Sequence, residues 1–108
     1  MVLLEGKEKM VTKNIPKQSA TLTQIVDFYL HSETFRRLSS SSQKDYETHL
    51  QATVLTQVEG KALGGYRCKN LKVRHITQAY EQWLNVGIRT ANYRRSVLSA
   101  AWKHAMRH

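Results

Sequence analysis

The side chains most suited to take part in a reaction are those of a histidine and an arginine three positions apart, His104 and Arg107. Imidazole and guanidinium groups can hold a phosphate and stabilise negative charge that develops on it. The string H-x-x-R is short enough to arise by chance, and Ala105 and Met106 inside it belong to the apolar face of a predicted helix. We therefore interpret the pair as part of a packed helix and not as an active site.

A reaction at a phosphate would also need a nucleophile, and a tyrosine hydroxyl is one candidate. Tyr29, Tyr46 and Tyr80 lie on apolar stripes of predicted helices, so we expect them in the core. Tyr66 and Tyr93 are expected to be exposed, but neither has a partner that would activate it. The sequence also contains no glycine-rich phosphate loop and no spaced His and Cys set. We predict no catalytic residue, no cofactor and no metal site.

Binding of a polyanion is the second chemistry that the composition allows. The chain has 17 Lys and Arg against 8 Asp and Glu, a net charge of +9. Residues 61–84 carry a net charge of +4 and residues 85–108 carry +5 without any acidic residue, whereas residues 21–60 carry −2. This asymmetry favours nucleic acid as the partner, although ribosomal and membrane-surface proteins share a basic composition.

Two groups of residues are candidates for contact with phosphates. The start of the last predicted helix combines backbone amides and the helix dipole with basic side chains. Its candidates, with one lysine further along, are Arg89, Thr90, Asn92, Arg94, Arg95 and Lys103. The start of an earlier helix offers Ser41, Ser42, Gln43 and Lys44, for which helix capping and solvation are equal alternatives. Asn92 could instead reach an adenine edge and an arginine could reach guanine, but phosphates receive half or more of protein–DNA hydrogen bonds.

Two helices are predicted over residues 21–60, and Ser41, Ser42, Gln43 and Lys44 lie at the start of the second. A capping box of Thr21 and Gln24 introduces a helix over about 22–32, whose apolar residues recur at helical spacing. A second helix is predicted over about 42–57, with Ser42 and Asp45 as a further capping box. Residues 1–20 lack such periodicity and are interpreted as a basic arm or linker.

Two more helices are predicted in the basic half. One starts at Val73 and ends near Gly87, with Val73, Ile76, Tyr80, Trp83 and Leu84 on one face. The other starts after Thr90, and its stripe comprises Val97, Leu98, Ala101, Trp102, Ala105 and Met106. Between helices, residues 60–70 contain Gly64-Gly65 and read as an exposed loop or short hairpin. We therefore predict one all-α domain over residues 21–108, with both tryptophans in its core.

The last predicted helix resembles the fourth helix of the core-binding domain of phage integrases, members of the tyrosine recombinase family. Residues 87–105 read GIRTANYRRSVLSAAWKHA, and the resemblance lies in the Thr-Ala-Asn start, the Val-Leu-Ser stretch and the closing aromatic and alanine pattern. Residues 21–30, 38–46 and 70–84 resemble the first three helices of that domain in order and spacing. One departure is the start of the third helix, where the family usually has an acidic residue, Ile and Thr.

The resemblance implies a four-helix orthogonal bundle of the SAM-like type that grips double-stranded DNA at a crossover site. In this family the second and fourth helices face the major groove, and the catalytic tyrosine with its basic partners lies in a separate domain. It further implies a cytoplasmic protein of bacterial or phage origin that takes part in DNA recombination and integration. We expect the parent protein to oligomerise on DNA, the isolated domain to be monomeric, and neither a membrane nor a small molecule to be a partner.

The alternative is a small helical DNA-associated adaptor or excision-control factor that works through contact with other proteins. The end of the chain separates the two hypotheses, because the last stripe runs on without a C-terminal glycine cap, which is typical of a cut helix. A stand-alone enzyme ranks third, since no pair of groups has both the spacing and the context for catalysis.

Overall fold

The computed structural model describes residues 19–107, which form five α-helices, an antiparallel two-strand hairpin and two short 3₁₀ turns. The helices are α1 (Leu22–Leu30), α2 (Glu33–Arg36), α3 (Ser40–Leu55), α4 (Val73–Leu84) and α5 (Ile88–Arg107). The strands are β1 (Gln57–Val58) and β2 (Lys61–Ala62), and the 3₁₀ turns are Leu63–Gly65 and Cys68–Asn70. Most of the predicted arm, residues 1–18, and the last residue lie outside this part of the chain.

The capping box predicted for the first helix is confirmed. Thr21 Oγ1 accepts a hydrogen bond from the Gln24 amide at 3.2 Å, and Gln24 Oε1 accepts one from the Thr21 amide at 2.9 Å. The buried residues of α1 are Leu22, Ile25, Val26 and Tyr29, as the stripe predicts. Ala20, which precedes α1, is buried as well.

The second predicted helix, α3, begins earlier than expected. Ser39 is its N-cap, because its hydroxyl accepts a hydrogen bond from the Ser42 amide at 3.2 Å. The predicted capping box of Ser42 and Asp45 is therefore wrong. Four consecutive serines have equal capping ability, so local propensity does not select one, and packing of the inner residues Leu50 and Thr53 determines where the helix lies.

A small hairpin modifies the all-α prediction to a compact, mostly helical domain. Its two-residue turn, Glu59-Gly60, has φ angles of 54° and 83°, as tight hairpins require. The turn is fixed to α4, because the Glu59 carboxylate accepts hydrogen bonds from Arg74 Nε at 3.0 Å and from Gln78 Nε2 at 2.8 Å. These two bonds lower the pKa of Glu59 to about 2.

The sequence predicts an exposed loop over residues 60–70, but part of the segment after the hairpin is buried. Leu63 and Gly64 are buried, and Thr23 Oγ1 donates a hydrogen bond to the Gly64 carbonyl at 2.9 Å. The 3₁₀ turn that contains them lies against α1 and α3. The loop is thus part of the packed structure beneath its exposed basic residues.

The predicted face of α4 is confirmed at Trp83, which is buried, and at Ile76 and Tyr80, which are half-buried against the core, but it differs elsewhere. His75, Ala79 and Trp83 are buried, whereas Val73 is 83% exposed and Leu84 is 39% exposed. Burial of His75 follows from two contacts, since its Nδ1 accepts the Lys72 amide proton at 2.9 Å and its Nε2 lies 3.4 Å from Glu59 Oε1.

Helix α5 packs against α1, α3 and α4 and so forms the centre of the domain. Its predicted stripe is confirmed at Val97, Leu98, Ala101 and Ala105, whereas Met106 is 42% exposed. The helix begins at Ile88 and not after Thr90, and the Ala91 amide already donates to the Gly87 carbonyl at 3.0 Å. Among residues 19–107, no helix is both long and apolar enough to cross a membrane.

Candidate nucleic-acid interface

The side of α5 that faces away from the core carries a line of polar and basic side chains. They are Arg89, Asn92, Arg95, Ser96, Ser99 and Lys103, all exposed, and we call them the outer face of α5. Helix α5 contains no acidic residue. With a rise of about 1.5 Å per residue, this face extends roughly 20 Å, which corresponds to about six base pairs along a duplex axis.

Tyr80 of α4 organises two residues of the outer face. Its hydroxyl donates a 2.6 Å hydrogen bond to Asn92 Oδ1, and its ring centroid lies 5.6 Å from the guanidinium carbon of Arg95. The bond uses the side-chain oxygen of Asn92 as acceptor, so the two amide protons on Nδ2 can be donated to another group. Asn92 is thus set up as a hydrogen-bond donor, which is the role that a phosphate contact requires.

Arg94 does not belong to the outer face, although it is adjacent to Arg95 in sequence. It is half-buried, its Nε donates to His49 Nδ1 at 3.3 Å, and its guanidinium carbon lies 5.8 Å from the Trp83 ring centroid. Burial and the positive charge of Arg94 lower the pKa of His49, while Asp45 opposes the shift. The structure places Arg94 in the contact between α3 and α5.

The candidates on α3 have mixed environments. Ser41 and Lys44 are exposed, whereas Ser42 and Gln43 are half-buried. The Gln43 side-chain amide donates to the Leu38 carbonyl at 2.8 Å and to that of Arg36 at 3.1 Å. Gln43 therefore stabilises the connection between α2 and α3, and Ser41 and Lys44 remain the accessible members of this group.

Helices α3 and α5, which carry the two predicted groups, pack against each other. Trp83 Nε1 donates to Thr56 Oγ1 at 3.0 Å, which places the end of α3 near the end of α4 and the start of α5. At its other end, α3 follows α2, whose Phe35 packs on Tyr29, and the Tyr29 ring lies 5.5 Å from that of His104 near the end of α5. In between, the Tyr93 ring of α5 lies 6.0 Å from that of Tyr46 and 4.8 Å from that of His49, so the first half of α3 contacts the second turn of α5.

The histidine of the H-x-x-R string, His104, lies in the contact between α5 and α1. The ring of His104 is 5.6 Å from Phe28 and 5.5 Å from Tyr29, and only Arg107 of the pair is exposed. Among residues 19–107, no group of three His, Cys, Asp or Glu side chains is placed to hold a metal ion.

Sequence reasoning missed an apolar cleft of about 350 Å³ between the start of α4 and the middle of α5. Its walls include Leu71, Ile76, Leu98 and Trp102, with Val73 at the rim. The basic side chains of Lys72, Arg95 and Lys103 also line it. The sequence placed Val73 and Trp102 in the core, and only the helix packing shows that both border a cleft.

Comparison with known proteins gives no relative: no family model matches the chain, and the searches of curated proteins and of solved structures return no match.

Proposed function

We propose that this chain is the core-binding domain of a tyrosine recombinase of the phage integrase type, which grips double-stranded DNA while another domain performs cleavage. On this proposal the helices form the SAM-like bundle of that family, with α2 and the hairpin as additions to its four helices. The sequence resemblance over residues 21–107 supports the assignment, and the compact, mostly helical architecture is compatible with it.

The outer face of α5 is the observation that carries the DNA-binding proposal. Arg89, Arg95 and Lys103 are exposed there and make no ion pair within residues 19–107. Arginine and lysine that neutralise phosphates release counterions from DNA, and this release supplies much of the affinity. Exposed Asn and Ser side chains between the cations add donors for phosphate oxygens.

Titration of the full chain with a duplex at several salt concentrations tests the proposal. With ~4 to 6 phosphates contacted, the logarithm of the affinity should fall against the logarithm of the salt concentration with a slope of about −4 to −5. A flat response would exclude duplex binding of this kind.

A double variant locates the interface. Arg95→Ala with Lys103→Ala should reduce the magnitude of the slope by up to about two. The matched control, Arg36→Ala with Lys69→Ala, removes the same net charge from exposed positions outside α5 and should change the slope less. Equal effects of the two pairs would show that overall charge, and not α5, determines binding.

The chain itself is proposed to be non-catalytic. Incubation with duplex DNA should give neither strand cleavage nor a covalent protein–DNA adduct, because the H-x-x-R histidine packs against Phe28 and Tyr29. An adduct detected by gel electrophoresis under denaturing conditions would contradict this part of the proposal.

The second candidate function, a DNA-associated adaptor that contacts other proteins, is favoured by one observation, the apolar cleft beside the outer face. Concave apolar surfaces with a few polar groups at their border are typical of binding sites. The two functions are compatible, since one face can bind DNA while the neighbouring cleft binds a protein.

A further inference from the structure

The cleft between α4 and α5 exposes apolar surface at a defined place. Val73 at its rim is 83% exposed, although it is the first residue of a helix whose other face packs on the core. Trp102 on the opposite wall is only half-buried. A volume of about 350 Å³ lies at the lower end of the range of roughly 300 to 1,000 Å³ for ligand sites, so one or two side chains would fill the cleft.

The border of the cleft is positively charged. Lys72, Arg95 and Lys103 line it, and none of them forms an ion pair with another residue of the described part. Arg74, in the first turn of α4, differs in this respect, since it pairs with Glu59 at 3.0 Å. The cleft therefore combines an apolar floor with cations that have unused capacity for carboxylates.

We propose that this cleft binds a peptide segment of a partner protein that presents one or two large apolar side chains between acidic residues. The apolar side chains would displace water from Val73 and Trp102, and the carboxylates would pair with the three cations. A second copy of this chain is a poor occupant by charge, because each copy carries a net charge of +9. This proposal rests on the second candidate function and specifies the kind of segment that the cleft binds, and its tests need no DNA, so they are independent of the DNA-binding proposal.

A synthetic hexapeptide, acetyl-Glu-Glu-Leu-Phe-Glu-Glu-amide, is the probe. Titration into the full chain should change the tryptophan fluorescence, because Trp102 lines the cleft whereas Trp83 is buried, and calorimetry should give one site per chain. Replacement of the four acidic residues by Gln should weaken binding about tenfold, since each exposed ion pair contributes a factor of a few. Replacement of Leu-Phe by Ser-Ser should abolish binding, and equal binding of this peptide would show that charge alone attracts it and overturn the proposal.

Protein variants locate the site. Val73→Glu should weaken binding of the probe at least tenfold, because it places a carboxylate beside the acidic peptide and removes apolar surface. A glutamate in the first turn of α4 suits the helix dipole, so the fold should persist. The matched control is Val86→Glu at a position that is 68% exposed and does not line the cleft. Equal loss in both variants would overturn the assignment of the cleft.

The basic border is tested separately. Lys72→Gln with Lys103→Gln should weaken binding of the acidic probe but leave binding of its Gln counterpart unchanged. Lys44→Gln with Lys69→Gln removes two exposed lysines outside the cleft and should have a smaller effect. Sedimentation of the full chain should show a monomer, whereas a dimer that Val73→Glu dissociates would identify a second copy as the occupant and overturn the proposal.

Discussion

At the scale of single residues, Arg94 and Arg95 show what sequence alone could not distinguish. Both were candidates for the same contact, yet Arg94 bonds to His49 and only Arg95 lies on the outer face. The helical period places Arg94 close to the stripe of Val97 and Leu98, but a charged residue is ordinarily assigned to solvent. A long side chain can cover an aromatic ring while it keeps a polar partner, and the composition of the helix does not reveal this.

The pair of His49 and Arg94 gives a pH prediction. Burial and the charge of Arg94 depress the pKa of folded His49 below its ordinary 6.5, so the unfolded chain binds more protons below that pH. Above about pH 6.5 His49 is neutral in both states and does not reduce the free energy of unfolding. As the pH falls toward 5 the free energy of unfolding declines, because protonation of His49 favours the unfolded chain. His49→Gln retains an acceptor for Arg94 but does not titrate, so its free energy of unfolding in urea should fall less than that of the wild type between pH 7.5 and 5.

Thr48→Gln, at an exposed neighbouring position, is the control and should keep the wild-type pH profile. The carboxyl of Glu59 does not interfere, since its contribution is present above its ordinary pKa of 4.5 and is lost only as the pH falls toward 2. Parallel pH profiles for the wild type and His49→Gln would contradict the role given to this histidine.

Tyr80 provides a second prediction at this scale. Tyr80→Phe keeps the ring beside Arg95 but removes the bond to Asn92, so it should weaken duplex binding by less than tenfold without a change in the salt slope, because no charge is lost. The free energy of unfolding should fall by roughly 0.5 to 1 kcal/mol, the net value of one hydrogen bond. Tyr93→Phe removes a hydroxyl that makes no hydrogen bond within residues 19–107 and should leave both quantities unchanged. An altered salt slope in Tyr80→Phe would contradict the assigned role.

At the scale of elements, helical periodicity predicted α1 and α5 well, because both bury long stripes of ordinary apolar residues. For α4 it was right at Ile76, Tyr80 and Trp83 but wrong at both ends, because the buried His75 is not an apolar residue and Val73 lies in the first turn before the helix reaches the core. The hairpin was only a possibility, since strands of two residues are too short to show alternation and Glu-Gly is not a typical hairpin turn. The cleft could not be predicted, because it depends on how α4 and α5 pack together.

The buried 3₁₀ turn gives a prediction for an element. A Cβ atom at Gly64 would lie 2.7 Å from Val54 Cβ and would also contact Thr23 Oγ1, so α1, α3 and the turn would have to separate. Gly64→Ala should therefore lower the free energy of unfolding by about 2 to 3 kcal/mol, the upper range for overpacking. At Gly65 the nearest atom is Lys61 Cε at 3.3 Å, which can move, so Gly65→Ala should cost no more than about 0.5 kcal/mol. Similar denaturation midpoints for the two variants would show that the turn is not closely packed.

At the scale of the whole molecule, the charge is divided between its two halves. Residues 21–60, which form α1 to α3 and β1, carry a net charge of −2, whereas residues 61–107 are strongly basic. A polyanion should therefore approach the α4 and α5 side, and long-range attraction would orient the domain before any contact forms. The same field attracts an acidic peptide, so the two proposed partners approach the same side.

The final prediction follows from the residues that the two proposed sites share. Arg95 and Lys103 belong to the outer face of α5 and also line the cleft, so a bound acidic peptide should neutralise two of the cations that hold DNA. Saturation of the full chain with acetyl-Glu-Glu-Leu-Phe-Glu-Glu-amide should weaken duplex binding at least tenfold and reduce the magnitude of the salt slope by up to about two. The Ser-Ser counterpart at the same concentration controls for ionic strength and should have little effect. Unchanged DNA affinity with the peptide bound, as reported by tryptophan fluorescence, would show that the two surfaces are independent.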